Sequence, residues 1–198
     1  DLDNRKQQWL YGQQYNATGQ PLINNGVNVF INPEGYNLLP GSDFDIGGAD
    51  DDGRLAGARC VKYQPDKNHI GSDAGNDVVV FRLADVLLMK AEAILRGATN
   101  GTAAQALDAA NQVRKRAFPV NSEKHFTAGT LNLDAIYKER GLEFTFEVTR
   151  RTDMIRFGKW EDAMLFKPAN TTETFKRLFP IPATALANNT NLTPNPGY

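Results

Sequence analysis

The chain has few of the side chains that enzymes use for nucleophilic or metal chemistry. Its 198 residues include one cysteine, Cys60, and two histidines, His69 and His125. A single cysteine excludes an internal disulfide, and the scarcity of cysteine and histidine disfavours a zinc site. Both histidines lie in polar, loop-like sequence. The pattern therefore favours a buried or inert thiol over a catalytic Cys–His pair.

The sequence also lacks long apolar runs and an excess of positive charge. No apolar run reaches the length of about eighteen residues that a membrane-spanning helix needs. The net charge of −1 argues against a nucleic-acid binder that neutralises phosphates. Residues 1–4 do not resemble a signal peptide. P-loop, nucleophile-elbow, zinc-protease and dinucleotide motifs are absent, so we expect no catalytic residues and no cofactor.

Residues 1–77 are predicted to be mainly loop, with short extended pieces at 27–31 and 58–63. This segment is rich in Asn, Gly, Gln and Asp and has no helical period. Because so long a loop is unusual in a compact domain, we interpret it as a candidate ligand surface or as a segment packed on other residues. Aromatic rings stack on sugars and amides bind their hydroxyls. The candidate ligand-binding residues are Trp9, Tyr11, Gln13, Tyr36 and Asn37; small satellite cores are the competing interpretation for the aromatics.

An acidic, glycine-rich stretch at 43–53 is a second candidate site. Its five carboxylates belong to Asp43, Asp45, Asp50, Asp51 and Asp52. Calcium prefers clustered oxygen ligands on a flexible loop, but the spacing is not that of an EF-hand. A solvated acidic turn is therefore favoured over a calcium site.

Two helices are predicted at 79–96 and 103–117. The inward stripe of the first consists of Val80, Ala84, Leu87, Leu88, Ala91, Ile94 and Leu95. Gly97 is expected to end this helix and Thr102 to cap the next. Small residues at the predicted crossing resemble one tetratricopeptide-type hairpin, which cannot bury its face alone. The predicted fold is mainly α, a tetratricopeptide-like hairpin plus further helices after a loop-rich N-terminal segment.

Residues 134–160 are predicted to form a helix, a break and a short second helix. Charges of both signs share a face with apolar residues, which indicates a partly buried ion-pair network. Every acid of this stretch has an Arg or Lys within a helical turn, which lowers carboxylate pKa values and disfavours acid–base catalysis. The predicted members of the network are Asp85, Glu92, Arg140, Glu143, Glu147, Arg150, Arg151, Asp153 and Arg156. Acid–base or metal chemistry at Glu143 and Glu147, as in a glycosidase, is the alternative.

Five motifs in this order resemble the SusD/RagB family. They lie at residues 82–93, 111–116, 139–158, 179–182 and 195–198. Asp3 with Arg5, and residues 58–63, resemble family features more weakly. One departure is Val148, where the family usually has glycine.

The resemblance implies the C-terminal portion of an outer-membrane nutrient-binding lipoprotein, surface-exposed, without the upstream helical repeats or the lipid anchor. Residues 78–198 would be its helical region, forming one structural domain with 1–77. Relatives of this kind capture an oligosaccharide, without catalysis, and deliver it to a SusC-like TonB-dependent transporter. A scaffold that binds a protein partner and has no sugar role is the alternative.

Overall fold

The computed structural model describes residues 3–24, 26–31, 57–63, 66, 68, 70–71, 74–164 and 167–198. Contacts divide these residues into two compact units, one ending at Arg150 and the other beginning at Arg151. Within the first unit, Arg5 and Lys62 from the loop-rich segment bind the acidic residues Glu139 and Glu147 of the helical region.

A helical hairpin forms the centre of the first unit. Helix α1 spans Leu83–Leu95 and helix α2 spans Ala103–Ala117, and the two pack along each other. Gly97, at φ +97°, follows the end of α1 as predicted. The side chain of Thr102 accepts a hydrogen bond from the Gln105 backbone, and Gln105 reciprocates, so α2 begins with a capping box.

The first helix begins four residues later than the sequence predicts. Arg82 has an extended backbone because its guanidinium reaches out to Glu143 and Glu147. Val80, predicted to face inward, therefore lies outside the helix and is exposed. The side chains that are buried at the hairpin crossing are small: Ala91, Ala106, Ala109, Ala110 and Ala117, together with Leu88.

Helix α3 spans Leu133–Glu143 and packs against α1. It begins where the Asn132 side chain accepts a hydrogen bond from the Ala135 backbone. Helix α4 spans Arg150–Arg156, so the predicted helix, break and short helix are all present. The prediction that Glu147 lies on the same helical face as Arg140 and Glu143 is wrong, because α3 ends at Glu143, four residues before Glu147.

The turn between α3 and α4 contains two residues in the left-handed region. Phe146 has φ 62° and Val148 has φ 61°, and neither is glycine. A branched side chain in this region is strained. Val148 is the position at which the related family usually has glycine, so the departure noted in the sequence falls on a backbone conformation that favours glycine.

We expect Val148→Gly to raise the free energy of unfolding by about 0.5–1 kcal/mol. Relief of left-handed strain is worth roughly 1–2 kcal/mol, and the greater freedom of glycine in the unfolded chain offsets part of this. Chemical denaturation measures the change. Val120→Gly is the matched control, because Val120 is equally exposed and has no positive φ; it should destabilise the chain, and equal losses from both variants would contradict the prediction.

The N-terminal segment contains short antiparallel strand pairs. Strand β1, Trp9–Leu10, follows a 3-10 helix at Asn4–Gln8 and pairs with β6, Arg59–Cys60. Strand β2, Gly12–Gln13, pairs with β5, Phe30–Ile31. Strand β3, Ile23–Asn24, pairs with β4, Val27–Asn28. The extended pieces predicted at 27–31 and 58–63 coincide with β4, β5 and β6.

The second unit contains most of α4, a 3-10 helix at Thr174–Arg177 and helix α5, Ala183–Asn188. The Arg151 guanidinium lies over the rings of Trp160 and Phe179, 5.0 and 4.1 Å from their centroids. The ring of Tyr198 meets that of Phe175 edge-on. In neither unit is any described helix both long and apolar enough to cross a bilayer.

Candidate functional site

A cluster of buried carboxylates on α3 is bound by cations from three other parts of the first unit. Glu139 and Glu143 are 1% and 2% exposed. Arg5, from the N-terminal 3-10 helix, lies 2.8 Å from Glu139. Further cations reach the two carboxylates from α2, through Arg114 on Glu139 and Arg116 on Glu143, and from the residue before α1, through Arg82, 2.6 Å from Glu143. We call this set, with Glu147 and Lys62, the ion-pair cluster.

Glu147 joins the ion-pair cluster from the strained turn. Arg82 donates to its two carboxylate oxygens through Nε, at 2.8 Å, and Nη2, at 2.9 Å. Lys62 forms a further ion pair with it. Burial would raise the pKa of Glu147, but the hydrogen bonds from Arg82 and Lys62 outweigh it and hold the pKa below its ordinary value. Burial would lower the pKa of Arg82, but its hydrogen bonds to Glu147 and Glu143 outweigh burial and raise the pKa above its ordinary value.

The cations also hold the backbone of this turn. Lys62 Nζ donates to the carbonyl oxygens of Glu143, at 2.7 Å, and Thr145, at 3.2 Å. Arg82 Nη2 donates to the same Glu143 carbonyl at 2.8 Å. Carbonyls at a helix C-terminus have no intrahelical partner, so these bonds satisfy the end of α3 and fix the direction of the chain.

Aromatic rings fill the space between the guanidinium groups. Phe144 lies under both Arg82 and Arg140, whose central carbons are 4.6 and 4.9 Å from its ring centroid. Arg140 is itself buried and binds Asp85 at 2.7 Å. Every buried side-chain nitrogen and oxygen among the described residues has a hydrogen-bond partner. The cluster is therefore a satisfied polar core.

The predicted network residues fall into two groups. The structure pairs Asp85 with Arg140, and it binds Glu143 and Glu147 together through Arg82. Glu92 pairs with Arg96, and Asp153 with Arg156. Neither Arg150 nor Arg151 pairs with a carboxylate of the described residues; their guanidinium groups stack on aromatic rings and donate to backbone carbonyls.

The cations of the ion-pair cluster are not those that lie within a helical turn of its acids in the sequence. Its cations come from distant segments because only tertiary packing brings them to α3. Sequence reasoning did not assign them to the network, although the motifs that carry the family resemblance contain them. The missed members are Arg5, Lys62, Arg82, Arg114, Arg116 and Glu139, with Asp3 holding Arg5 at 2.8 Å.

The glycosidase alternative does not suit this geometry. A general acid needs a raised pKa and access to its substrate. Glu143 is closed to solvent and bound by arginines, and the pKa of Glu147 is lowered.

Acid should remove part of the stability that Glu147 provides. A carboxyl with a lowered pKa stabilises the fold fully above its ordinary value, 4.5, and loses that contribution as pH falls through the folded-state pKa. Chemical denaturation between pH 7 and pH 3 should therefore show a shallower loss below about pH 4.5 for Glu147→Gln than for the unaltered chain. Parallel curves would contradict this expectation.

The candidate ligand residues differ in their surroundings. Trp9 is half-buried and meets the Phe146 ring edge-on at 5.9 Å, whereas Tyr11 is exposed. The Gln13 amide donates to the carbonyl oxygens of Gln14, at 2.8 Å, and of Val29, at 3.5 Å. Tyr36 and Asn37 lie outside the described residues.

The calcium candidates, Asp43, Asp45, Asp50, Asp51 and Asp52, also lie outside the described residues. Within the part of the chain that the structure describes, no three His, Cys, Asp or Glu side chains come together as metal ligands.

The fold and the cluster define a class: a mainly α-helical protein whose hairpin is fixed to a loop-rich N-terminal segment by buried ion pairs. The chain belongs to the SusD family, whose model matches residues 1–198. This confirms the resemblance drawn from the five motifs.

Three comparisons give the range of similarity. The starch-binding protein SusD of Bacteroides thetaiotaomicron is 30% identical over 62% of this chain and 22% of its own length. SusD-like protein P25 of Formosa agariphila is 39% identical over 50% of this chain and 18% of its own length. The crystal structure of a SusD superfamily protein from Bacteroides vulgatus superposes with a TM-score of 0.52 at 27% identity, over 67% of this chain and 30% of that one. The chain thus spans about a fifth to a third of these relatives.

Proposed function

We propose that the chain is part of a non-catalytic binding protein of the bacterial outer membrane. Its ligand is a glycan, oligosaccharide or other nutrient, which it delivers to a SusC-like TonB-dependent transporter. The observation that carries the proposal is the family match over residues 1–198, together with the similarity to a starch-binding protein. Such a protein lies at the cell surface and contacts the membrane through a lipid anchor.

The N-terminal segment supports this proposal as the ligand surface. Tyr11, Tyr15 and Phe30 are each at least half exposed, at 54%, 58% and 50%. Exposed rings set among amide side chains have the composition of sugar-binding surfaces, in which rings contact C–H faces and amides contact hydroxyls. Had these rings been buried, they would have favoured the scaffold alternative.

A glycan panel read by calorimetry tests the proposal on the 198-residue chain. A stacked ring contributes about 0.5–1.5 kcal/mol, so Trp9→Ala and Tyr11→Ala should each weaken glycan binding about two- to tenfold. Phe81→Ala is the matched control, because Phe81 is an exposed aromatic residue outside the N-terminal segment. Far-ultraviolet circular dichroism checks that Trp9→Ala leaves the fold intact.

The outcomes separate the site from the function. Binding that is lost in Trp9→Ala and Tyr11→Ala but kept in Phe81→Ala supports the proposed surface. Binding that all three variants keep would place the ligand elsewhere. The absence of binding to every glycan would reject the function.

The scaffold alternative is favoured by one observation. A strip of exposed apolar side chains precedes and follows the start of α1: Val78, Val80, Phe81, Leu83 and Val86. Such a strip is typical of a surface that contacts another protein. Protein binding that Phe81→Ala abolishes, with no glycan binding, would favour the scaffold.

A further inference from the structure

A cleft beside the turn between α3 and α4 has no role in the cluster described above. It lies within the first unit and has a volume of about 430 Å³. Its walls include two arginines, Arg140 and Arg150, and none of the residues that line it is acidic. A cleft lined by one sign of charge attracts ligands of the opposite sign.

The two arginines differ in what they can offer a ligand. Arg140 is 3% exposed and bound to Asp85. Arg150 lies on the ring of Tyr137, with its central carbon 3.8 Å from the centroid, and donates through Nη1 to the Tyr137 carbonyl at 3.0 Å. Among the described residues, no carboxylate pairs with Arg150, and its Nε and Nη2 have no acceptor.

These remaining donors face solvent. No buried side-chain nitrogen of the described residues lacks a partner, so the unpartnered N–H groups of Arg150, a residue that lines the cleft, are accessible to solvent. The guanidinium is nevertheless held in place by the Tyr137 ring and carbonyl. Gly141 makes room for it, since a Cβ there would lie 2.8 Å from Nη1. A held planar fork of donors matches a carboxylate in a bidentate arrangement.

The rim of the cleft is apolar and strained. Phe146 and Val148 line it, are 65% and 88% exposed, and are the two residues with left-handed backbone. Ion pairs of Glu147, between them, hold the turn in this conformation. Backbone strain that the surrounding structure maintains is concentrated at functional sites. The same cleft is therefore lined by an exposed ring and by a guanidinium that keeps unpartnered donors.

We propose that this cleft is the subsite for an acidic sugar unit, a uronate, of the captured oligosaccharide. Arg150 binds the sugar carboxylate, and Phe146 contacts the C–H face of the ring. The inference rests on the proposed glycan-binding function and adds to it a preference for acidic glycans.

The test compares an oligouronate with its carboxyl-reduced, neutral counterpart by calorimetry. Hydrogen bonds to a charged group are strong enough that Arg150→Gln should weaken oligouronate binding about tenfold or more. Binding of the neutral counterpart should change less than about twofold, because the only ligand contact that Arg150 makes is with the carboxylate, which the neutral sugar lacks. Arg150→Lys keeps the charge but not the planar fork of donors. Its affinity for the oligouronate should therefore lie between those of Arg150→Gln and the unaltered chain.

A second pair of variants leaves Arg150 and its contacts with Tyr137 intact. Val148→Glu and Val148→Gln differ only in charge, at a position whose side chain is exposed on the rim. Val148→Glu should weaken oligouronate binding several-fold relative to Val148→Gln, by repulsion of the ligand carboxylate, whereas the two variants should bind the neutral counterpart equally. This pair decides the outcome if Arg150→Gln does not fold.

Three results would overturn the inference. If the unaltered chain binds neutral glycans but prefers no uronate, the proposed function stands and the subsite does not. If oligouronate binding is unaffected by Arg150→Gln and equal in the two Val148 variants, the carboxylate binds elsewhere. If no glycan of either kind binds, both the subsite and the proposed function are rejected.

Discussion

Replacing Glu143 with alanine is expected to lower the free energy of unfolding by about 3–5 kcal/mol. The Glu143 side chain is 0% exposed and accepts hydrogen bonds from Arg82 and Arg116. Removal of the carboxylate leaves buried positive charge without this partner, which is costly in a low-dielectric interior. The Arg116 side chain is 63% exposed and can return to water. We therefore expect the lower end of the range.

Urea denaturation, with matched slopes, measures this loss. Glu173→Ala is the control, because Glu173 pairs with Lys176 at 2.7 Å on the surface, where both side chains are 40% exposed or more. Exposed pairs contribute about 0–1 kcal/mol. A loss below roughly 0.5 kcal/mol for Glu143→Ala would show that the ion-pair cluster stabilises the fold no more than a surface pair does.

Truncation of Leu88 to alanine is expected to cost about 2–5 kcal/mol. The residue is 0% exposed and lies on α1, which packs on α2 and α3. Most of the buried apolar side chains of α1 and α2 are alanines, and such small side chains cannot move in to fill the space. The loss therefore includes a cavity term as well as the apolar area.

The adjacent residue provides the control for this experiment. Met89 is on the same helix but is 41% exposed, so Met89→Ala should change stability by less than about 1 kcal/mol. Thermal unfolding followed by circular dichroism compares the two variants. Equal losses at both positions would mean that α1 is not packed on α2 and α3 as described.

The ion-pair cluster explains how the N-terminal segment, which contains only short strand pairs, belongs to the same compact unit as helices α1 to α3. Arg5 and Lys62 connect the N-terminal segment to α3 and its turn. These ion pairs fix the positions of the groups that they join. Apolar packing of two-residue strands does not fix positions in this way. Stability and the geometry of the proposed ligand surface are therefore coupled, since the turn that carries Glu147 also carries Phe146, against which Trp9 packs.

Local patterns in the sequence determined most of the helical structure. The limits of α2, its capping threonine and the glycine after α1 follow from rules that involve residues only a few positions apart. The break between α3 and α4 and the family motifs could be predicted in the same way. A buried charge network was also predictable, because charged and apolar residues share one helical face.

Tertiary structure alone decided the partners within the ion-pair cluster. An ion pair requires atoms within about 4 Å, and residues as far apart in sequence as Arg5 and Glu139 meet only when the chain has folded. The delayed start of α1 has the same cause, since Arg82 leaves the helix to reach Glu143 and Glu147. Folding also placed Arg150 on a tyrosine ring rather than on a carboxylate. Charge pattern determines that partners must exist, and packing determines which they are.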